Sequence, residues 1–303
     1  MTSVMRSLRD GPGIQVGLHA LGIGNGSRPD VIAAVAAGAD TRGFSTLWCG
    51  EHVVMVDKPA SRYPYSADGT IAVPPDADWL DPLLGLSFIA AHTRRITLAT
   101  GILLLPEHNP LIVAKQAATL DVLSGGRFTL GVGVGWSAEE FDALGIQFAR
   151  RGPRTDEYIA AMRRVWASDV ASFFGEFVRF NTVLVYPKPV RERRIPVIVG
   201  GTTDAALRRV AAIGDGWYGF NLPAAVVPER LGALAEHCRE RGREMRDLRI
   251  AVSLSDGDPA MLPQLAAAGV TELVIVAAPP AEPDDAADWV DQLAAHWLRG
   301  SVG

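Results

Sequence analysis

Three histidines, His19, His52 and His108, lie at or just beyond the ends of β-branched or apolar runs. An imidazole in such a place can give or take a proton near neutral pH. Their spacing matches no zinc pattern, so no metal is expected. Lys58, Lys115 and Lys188 fall in loop or helix patterns rather than at strand ends. That argues against a Schiff-base enzyme of the aldolase kind. Cys49, beside Trp48, reads as a small buried hydrophobe rather than a nucleophile. The segment Pro196-Val-Ile-Val-Gly200-Gly201-Thr202-Thr203-Asp204 reads as a strand, a two-glycine turn and a capped helix start. Free N–H groups at such a turn suit a phosphate. The same pattern also serves as a plain tight strand-to-helix turn.

Behind these residues, short β-branched runs alternate with amphipathic stretches, the signature of βα units on a parallel sheet. Eight strands are predicted at Ile14–His19, Phe44–Cys49, Ile96–Ile102, Phe128–Val134, Pro196–Gly200, Gly216–Phe220, Leu248–Ser253 and Glu272–Val276. Helices are predicted at Pro29–Thr41, Asn109–Leu123, Pro153–Ala167, Asp204–Ile213, Pro228–Arg241, Pro259–Ala268 and Asp284–Leu298. Eight alternations predict an α/β fold, a single (β/α)8 TIM barrel covering residues 1–303, with its site at the C-terminal ends of the strands. An open doubly wound sheet is the alternative. Two insertions interrupt the rhythm. Val53–Asp81, after the second strand, is rich in proline and carries Tyr63, Tyr65 and Trp79, as a lid would. Ser172–Arg194, before the fifth strand, reads as extra β structure, with Val183–Tyr186 as one of its strands.

Alternation puts Gln15, Gly17 and His19 on the inner face of the first strand, and Thr97, Ala99 and Gly101 on that of the third. Thr129, Gly131, Gly133 and Gly135 share the inner face of the fourth. Small residues there leave room for a flat ligand or a close backbone, or simply taper the barrel around bulky neighbours. The Gly131-x-Gly133-x-Gly135 period is that of a strand and not a dinucleotide fingerprint.

The chain has 303 residues, 48% hydrophobic and 21% charged, with a formal net charge of -5 of mixed signs. It offers no basic face for nucleic acid. Two cysteines, Cys49 and Cys238, make no disulfide framework, which fits a reducing, cytoplasmic setting. Met1–Gly13 lacks the apolar stretch of a signal peptide, and no run approaches a membrane span, so no membrane partner is expected.

Longer motifs then fall in order. Gly43-Phe-Ser-Thr-Leu-Trp48 leads to Glu51-His52. Ile96-Thr-Leu-Ala-Thr-Gly-Ile102 is followed by Pro106, His108-Asn-Pro110 and Lys115-Gln-Ala-Ala-Thr-Leu-Asp121. Leu123-Ser-Gly-Gly-Arg-Phe128 runs into Gly131-Val-Gly-Val-Gly-Trp136, and Ile195–Gly201 and Gly214-Asp-Gly-Trp217 complete the set. Over about Ile14 to Asn221 the sequence resembles the luciferase-like flavin and deazaflavin oxidoreductases, and within them the actinobacterial enzymes that use coenzyme F420. The resemblance implies hydride transfer between the deazaflavin and a small organic substrate. It places His52 at the reactive ring as acid, base or charge stabiliser, with Glu51 orienting it where relatives commonly have aspartate. It implies a non-prolyl cis bond at Gly101–Ile102, with Thr100 and Gly101 against the ring. Gly133 and Gly135 complete the cofactor pocket, and Gly200, Gly201 and Thr202 receive the tail phosphate. A Gly201→Val change is expected to weaken cofactor binding far more than stability. His19, Trp48 and Trp136 are expected at the substrate, although each equally suits packing. Family members are often dimers through barrel helices, which leaves a homodimer open. An FMN-dependent monooxygenase using oxygen is the alternative, and a non-catalytic flavin-binding protein is a third reading.

Overall fold

The computed structural model describes residues 13–298. The reading of Met1–Gly13 therefore lies, except for its last residue, outside the described residues.

Eight parallel strands close into a ring: β1 (Gln15–His19), β2 (Thr46–Cys49), β3 (Thr97–Thr100), β5 (Phe128–Gly133), β8 (Val197–Gly200), β9 (Gly216–Leu222), β10 (Arg249–Leu254) and β11 (Glu272–Val276). Each pairs with the next, β11 returns to β1, and β3 to β5 completes the closure. A two-residue strand, β4 (Leu103–Leu104), continues β3 beyond Gly101–Ile102, whose peptide bond is cis. All eight predicted strands are present, and the closed barrel rather than the open sheet is the fold.

Helices α1 (Pro29–Arg42), α3 (Pro110–Leu123), α5 (Arg151–Ala167), α6 (Asp204–Ile213), α7 (Val227–Glu240), α8 (Leu262–Ala267) and α9 (Pro283–Trp297) stand where predicted. The Asn109 side chain caps α3 by accepting from the Leu111 and Ile112 amides. Two further helices, α2 (Pro82–His92) and α4 (Ala138–Ala143), were not predicted. The α2 segment is apolar nearly all round, so it shows no helical period, and α4 spans only 6 residues. The first insertion forms no helix or strand of its own, only an isolated bridge from Trp79 to Ile23. The second forms an antiparallel hairpin, β6 (Ala171–Phe174) with β7 (Arg179–Val183). Its return strand thus ends where Val183–Tyr186 was expected to begin.

The outer faces of the strands pack on the helices, as the alternation implied: Val16, Leu18, Leu98, Leu130 and Val132 join one large core. The barrel interior is a separate stack. At its base Glu272, fully buried, accepts from Ser45 Oγ at 2.6 Å and from Arg249 at 2.7 Å. Above it Trp48 stacks on Tyr218, ring centroids 4.7 Å apart, among Ala99, Ile198, Ala251 and Val274. Ile102 and Phe220 lie against that cluster. The small inner face of β5 is explained here. A Cβ on Gly131 would sit 2.0 Å from the Thr100 carbonyl oxygen, and one on Gly133 would sit 1.7 Å from Ile102 Cδ1. These glycines admit a close backbone and a protein side chain.

Candidate active site

The C-terminal ends of the strands carry the polar residues that the packed interior excludes. His19, at the end of β1, bonds the Tyr218 hydroxyl at 3.2 Å and lies against Gly50 and Gly101. Burial pushes its pKa down to about 4, so it is neutral at pH 7. The cis Gly101–Ile102 bulge adjoins it, and Thr100 Oγ1 donates to the Gly131 carbonyl at 2.6 Å.

Beyond β2 the chain turns into Glu51 and His52, which the structure separates in partnership. His52 Nδ1 donates to Glu140 Oε2 at 2.8 Å; Glu140 Oε1 accepts from the amides of Val53 (2.7 Å) and Val54 (3.1 Å). Glu51 instead accepts from the Leu104 amide at 2.6 Å and from His108 Nε2 at 3.0 Å. The expectation that Glu51 orients His52 is corrected: Glu140, 88 residues away in sequence, does so. Because a carboxylate only accepts, the Glu140 bond fixes the His52 proton on Nδ1 and leaves Nε2 with its lone pair. Trp79 and Trp136 hold the ring edge-on, with centroids 4.9 and 5.8 Å away. His108 feels opposing effects: burial lowers its pKa, but the hydrogen bond and charge of Glu51, with Asp81 and Glu140 farther off, outweigh burial and raise it.

Glu107 completes this cluster. It is 6% exposed, and neither carboxyl oxygen has a hydrogen-bond partner. Burial, then the charges of Glu140 and Glu51, push its pKa up to about 9. Neither Glu107 nor Glu140 was singled out from sequence. Glu140 does carry a signal, since Ser137-x-x-Glu140 is a capping box, and the Ser137 hydroxyl accepts from the Glu140 amide at 3.3 Å. Its carboxylate, however, turns to His52 and the lid instead of back to the Ser137 amide.

On the other side of the mouth, β8 ends in the Gly200-Gly201 turn before α6, which Thr203 caps by accepting from the Ala206 amide. Gly201 has φ +115° and passes its carbonyl to Trp217 Nε1 at 2.7 Å. At that φ a valine is strained whatever the space, and its Cβ would meet Ala206 Cβ at 3.0 Å. Gly201→Val therefore costs stability of its own, beside any effect on cofactor binding. Arg230 lies beside the turn, 3.5 Å from the Thr202 carbonyl oxygen.

The Val53–Asp81 segment lies across the top. Tyr63 packs on Trp136 (5.3 Å between centroids) and Tyr65 on Phe220 (5.4 Å), while Asn221 donates to the Tyr65 carbonyl at 2.9 Å. Between the segment and His52 is a cavity of about 330 Å³, lined by apolar Val54, Ile71 and Trp136 and by polar Lys58, Thr70 and Glu140. The structure thus brings His52, Trp136, Glu140 and the lid into one pocket and sets His19, Thr100, Gly101 and the Gly200–Thr202 turn around the mouth. Three predicted residues are placed elsewhere. Trp48, fully buried beneath the mouth, is interior packing and not a pocket wall. Gly133 gives its space to Ile102, and Gly135, at φ +76°, faces Phe141 and Glu107. Cys49 is buried with its thiol pushed up to about 12 by burial, which makes it a poor nucleophile at neutral pH.

Known proteins share this fold. Residues 14–255 match the luciferase-like monooxygenase family. An uncharacterized protein of Mycobacterium tuberculosis (strain H37Rv) is 36% identical over 265 residues, covering 87% of this chain and 92% of its own. An FMNH2-dependent dimethylsulfone monooxygenase of Pseudomonas putida is 35% identical over 136 residues, covering 44% of this chain and 37% of its own. Among solved structures, an F420-dependent secondary alcohol dehydrogenase bound to an F420–acetone adduct superposes with a TM-score of 0.75 at 17% identity, over 96% of this chain and 99% of that one. The F420-dependent tetrahydromethanopterin reductase of Methanopyrus kandleri gives 0.73, also at 17% identity, over 95% and 99%. With its closed barrel, its cis bulge and four-fifths of its length inside the match, the chain belongs to the luciferase-like monooxygenase family.

Proposed function

We propose that this chain is an oxidoreductase that moves a hydride between coenzyme F420 and a small, mostly apolar organic substrate. The observation that carries the reading is the pairing of two features at one barrel mouth. One is the Gly200-Gly201 turn at the start of α6, and the other is His52, held by Glu140 with Nε2 free. The residues fit a flavin-type group. Gly201 carries no side chain, and the nearest atoms to where a Cβ would stand are Ala206 Cβ at 3.0 Å and the Tyr65 hydroxyl at 3.9 Å. The amides opening α6 would hold the phosphate, and the bulge at Gly101–Ile102 would lie under the ring, which supplies the hydride chemistry when bound. The chain's own residues do the rest. Nε2 of His52 takes or returns the substrate proton, Glu140 fixes the imidazole tautomer, and Tyr63, Tyr65 and Trp136 exclude water from the pocket.

The F420 part of this reading is supported by the motif resemblance and by the fold of the F420-dependent neighbours. An FMN-dependent monooxygenase is the second reading, favoured by the dimethylsulfone monooxygenase relative. Treatment of residues 1–303 as one domain, a homodimeric state and a cytoplasmic setting belong to the same proposal. Among the described residues no helix is long and apolar enough to cross a membrane. The test is anaerobic turnover. Reduced F420 should be oxidised by a ketone or enone panel, or the oxidised form reduced by alcohols, without oxygen. Turnover that requires FMNH2 and oxygen would replace this reading with the second.

A further inference from the structure

The cluster behind His52 contains three carboxyl groups, and their surroundings are unequal. Glu140 accepts from three donors: His52 Nδ1 and the Val53 and Val54 amides. Glu51 accepts from the Leu104 amide and His108 Nε2. Glu107 accepts from none, although it is 6% exposed and sits in the turn Leu105–Glu107 that precedes His108. It is also walled off on one side by Gly135, whose missing Cβ would lie 3.0 Å from Glu107 Oε1. The charged groups around it are Glu51 and Glu140, with His108 and His52 bonded to them and Arg151 on the far side, bonded to the Gly135 carbonyl.

A buried carboxylate without donors beside two carboxylates that have them is the arrangement in which one group keeps its proton. We infer that Glu107 is a positioning residue of the His52 site: a neutral carboxylic acid whose proton lets Glu140 and Glu51 stay paired with His52 and His108. Were Glu107 ionised, it would add a third negative charge to a buried cluster that already holds Glu140 and Glu51. The direction of its pKa shift agrees with the geometry. The importance of this role for turnover rests on the function proposed above. Its test does not, because it uses the purified chain with no cofactor.

Glu107→Gln copies the neutral acid in shape and charge. The unfolded chain loses the Glu107 proton near 4.5, while the folded chain keeps it to about 9, so wild type forfeits stability as pH rises through that window. The variant has no such loss. Urea unfolding at pH 5, 6, 7 and 8 should show the variant-to-wild-type ratio of folding constants rising by up to tenfold per pH unit. Infrared spectra at pH 7 should show a protonated-carboxyl band in wild type that Glu107→Gln lacks. A flat ratio across pH, or no protonated-carboxyl band assignable to Glu107, would overturn the inference.

Discussion

Glu140 offers the most discriminating perturbation, because two substitutions separate its packing role from its hold on His52. Glu140→Ala leaves the Val53 and Val54 amides and His52 Nδ1 without their acceptor. A buried donor left unpaired costs about 1–3 kcal/mol. Val53 is exposed, so water can serve its amide, and the two remaining donors give an expected total of about 2–6 kcal/mol. Glu140→Gln keeps an acceptor for the two amides and should lose about 1 kcal/mol or less. Its NH2 group, however, points a donor at His52 Nδ1, so the ring moves its proton to Nε2 and presents a donor to the pocket. If His52 works as a base, turnover falls on the order of 10²-fold or more in the Gln variant. Urea unfolding gives the first quantity, and steady-state rates with the best substrate of the panel give the second. Imidazole ¹⁵N shifts report the tautomer. A Gln variant that turns over at the wild-type rate, or that loses as much stability as the Ala variant, would refute the assignment of Glu140 as the group that orients His52.

Three other outcomes are expected. His52→Ala should leave cofactor affinity within a few-fold while slowing turnover on the order of 10²-fold or more, and near-normal turnover would move the role to His19. His19, neutral when folded, resists the proton that the unfolded chain accepts below 6.5, so wild type loses stability as pH falls from 6.5 to about 4. Over that range the stability difference between wild type and His19→Gln should shift in the variant's favour by about 3 kcal/mol, and a constant difference in urea unfolding would contradict it. Hydrogen exchange across Val53–Asp81 should slow on saturation with cofactor and substrate, because a ligand at the mouth has to repack Tyr63 and Tyr65; unchanged exchange would argue against a lid.

The barrel was legible because its strands are short β-branched runs separated by capped helices, a local signal that needs no knowledge of distant contacts. Helix α2 escaped because Pro82-Leu-Leu-Gly-Leu-Ser-Phe-Ile-Ala-Ala-His92 is apolar on nearly every side, which erases the period that marks a helix. The site was legible only residue by residue. His52 and the Gly200–Thr202 turn lie in recognisable local patterns. The His52–Glu140 bond joins the segment after β2 to helix α4 beyond β5, and no spacing in the sequence announces it. The inner glycines of β5 were ambiguous for the same reason. Whether a ligand or Ile102 takes their space is decided by where the chain runs after Gly101. Trp48 likewise sits at the end of a strand, yet Tyr218, 170 positions on, stacks over it and closes it from the pocket.

Binding of a deazaflavin at this barrel mouth is measured by titration of the purified chain with F420 and with FMN, followed by tryptophan fluorescence. Trp136 faces the cavity and Trp217 is bonded to Gly201, so a ligand there has reporters on both sides. F420 should quench saturably at micromolar concentration and FMN little. Saturation by FMN alone would contradict the cofactor assignment while leaving the family and the barrel in place.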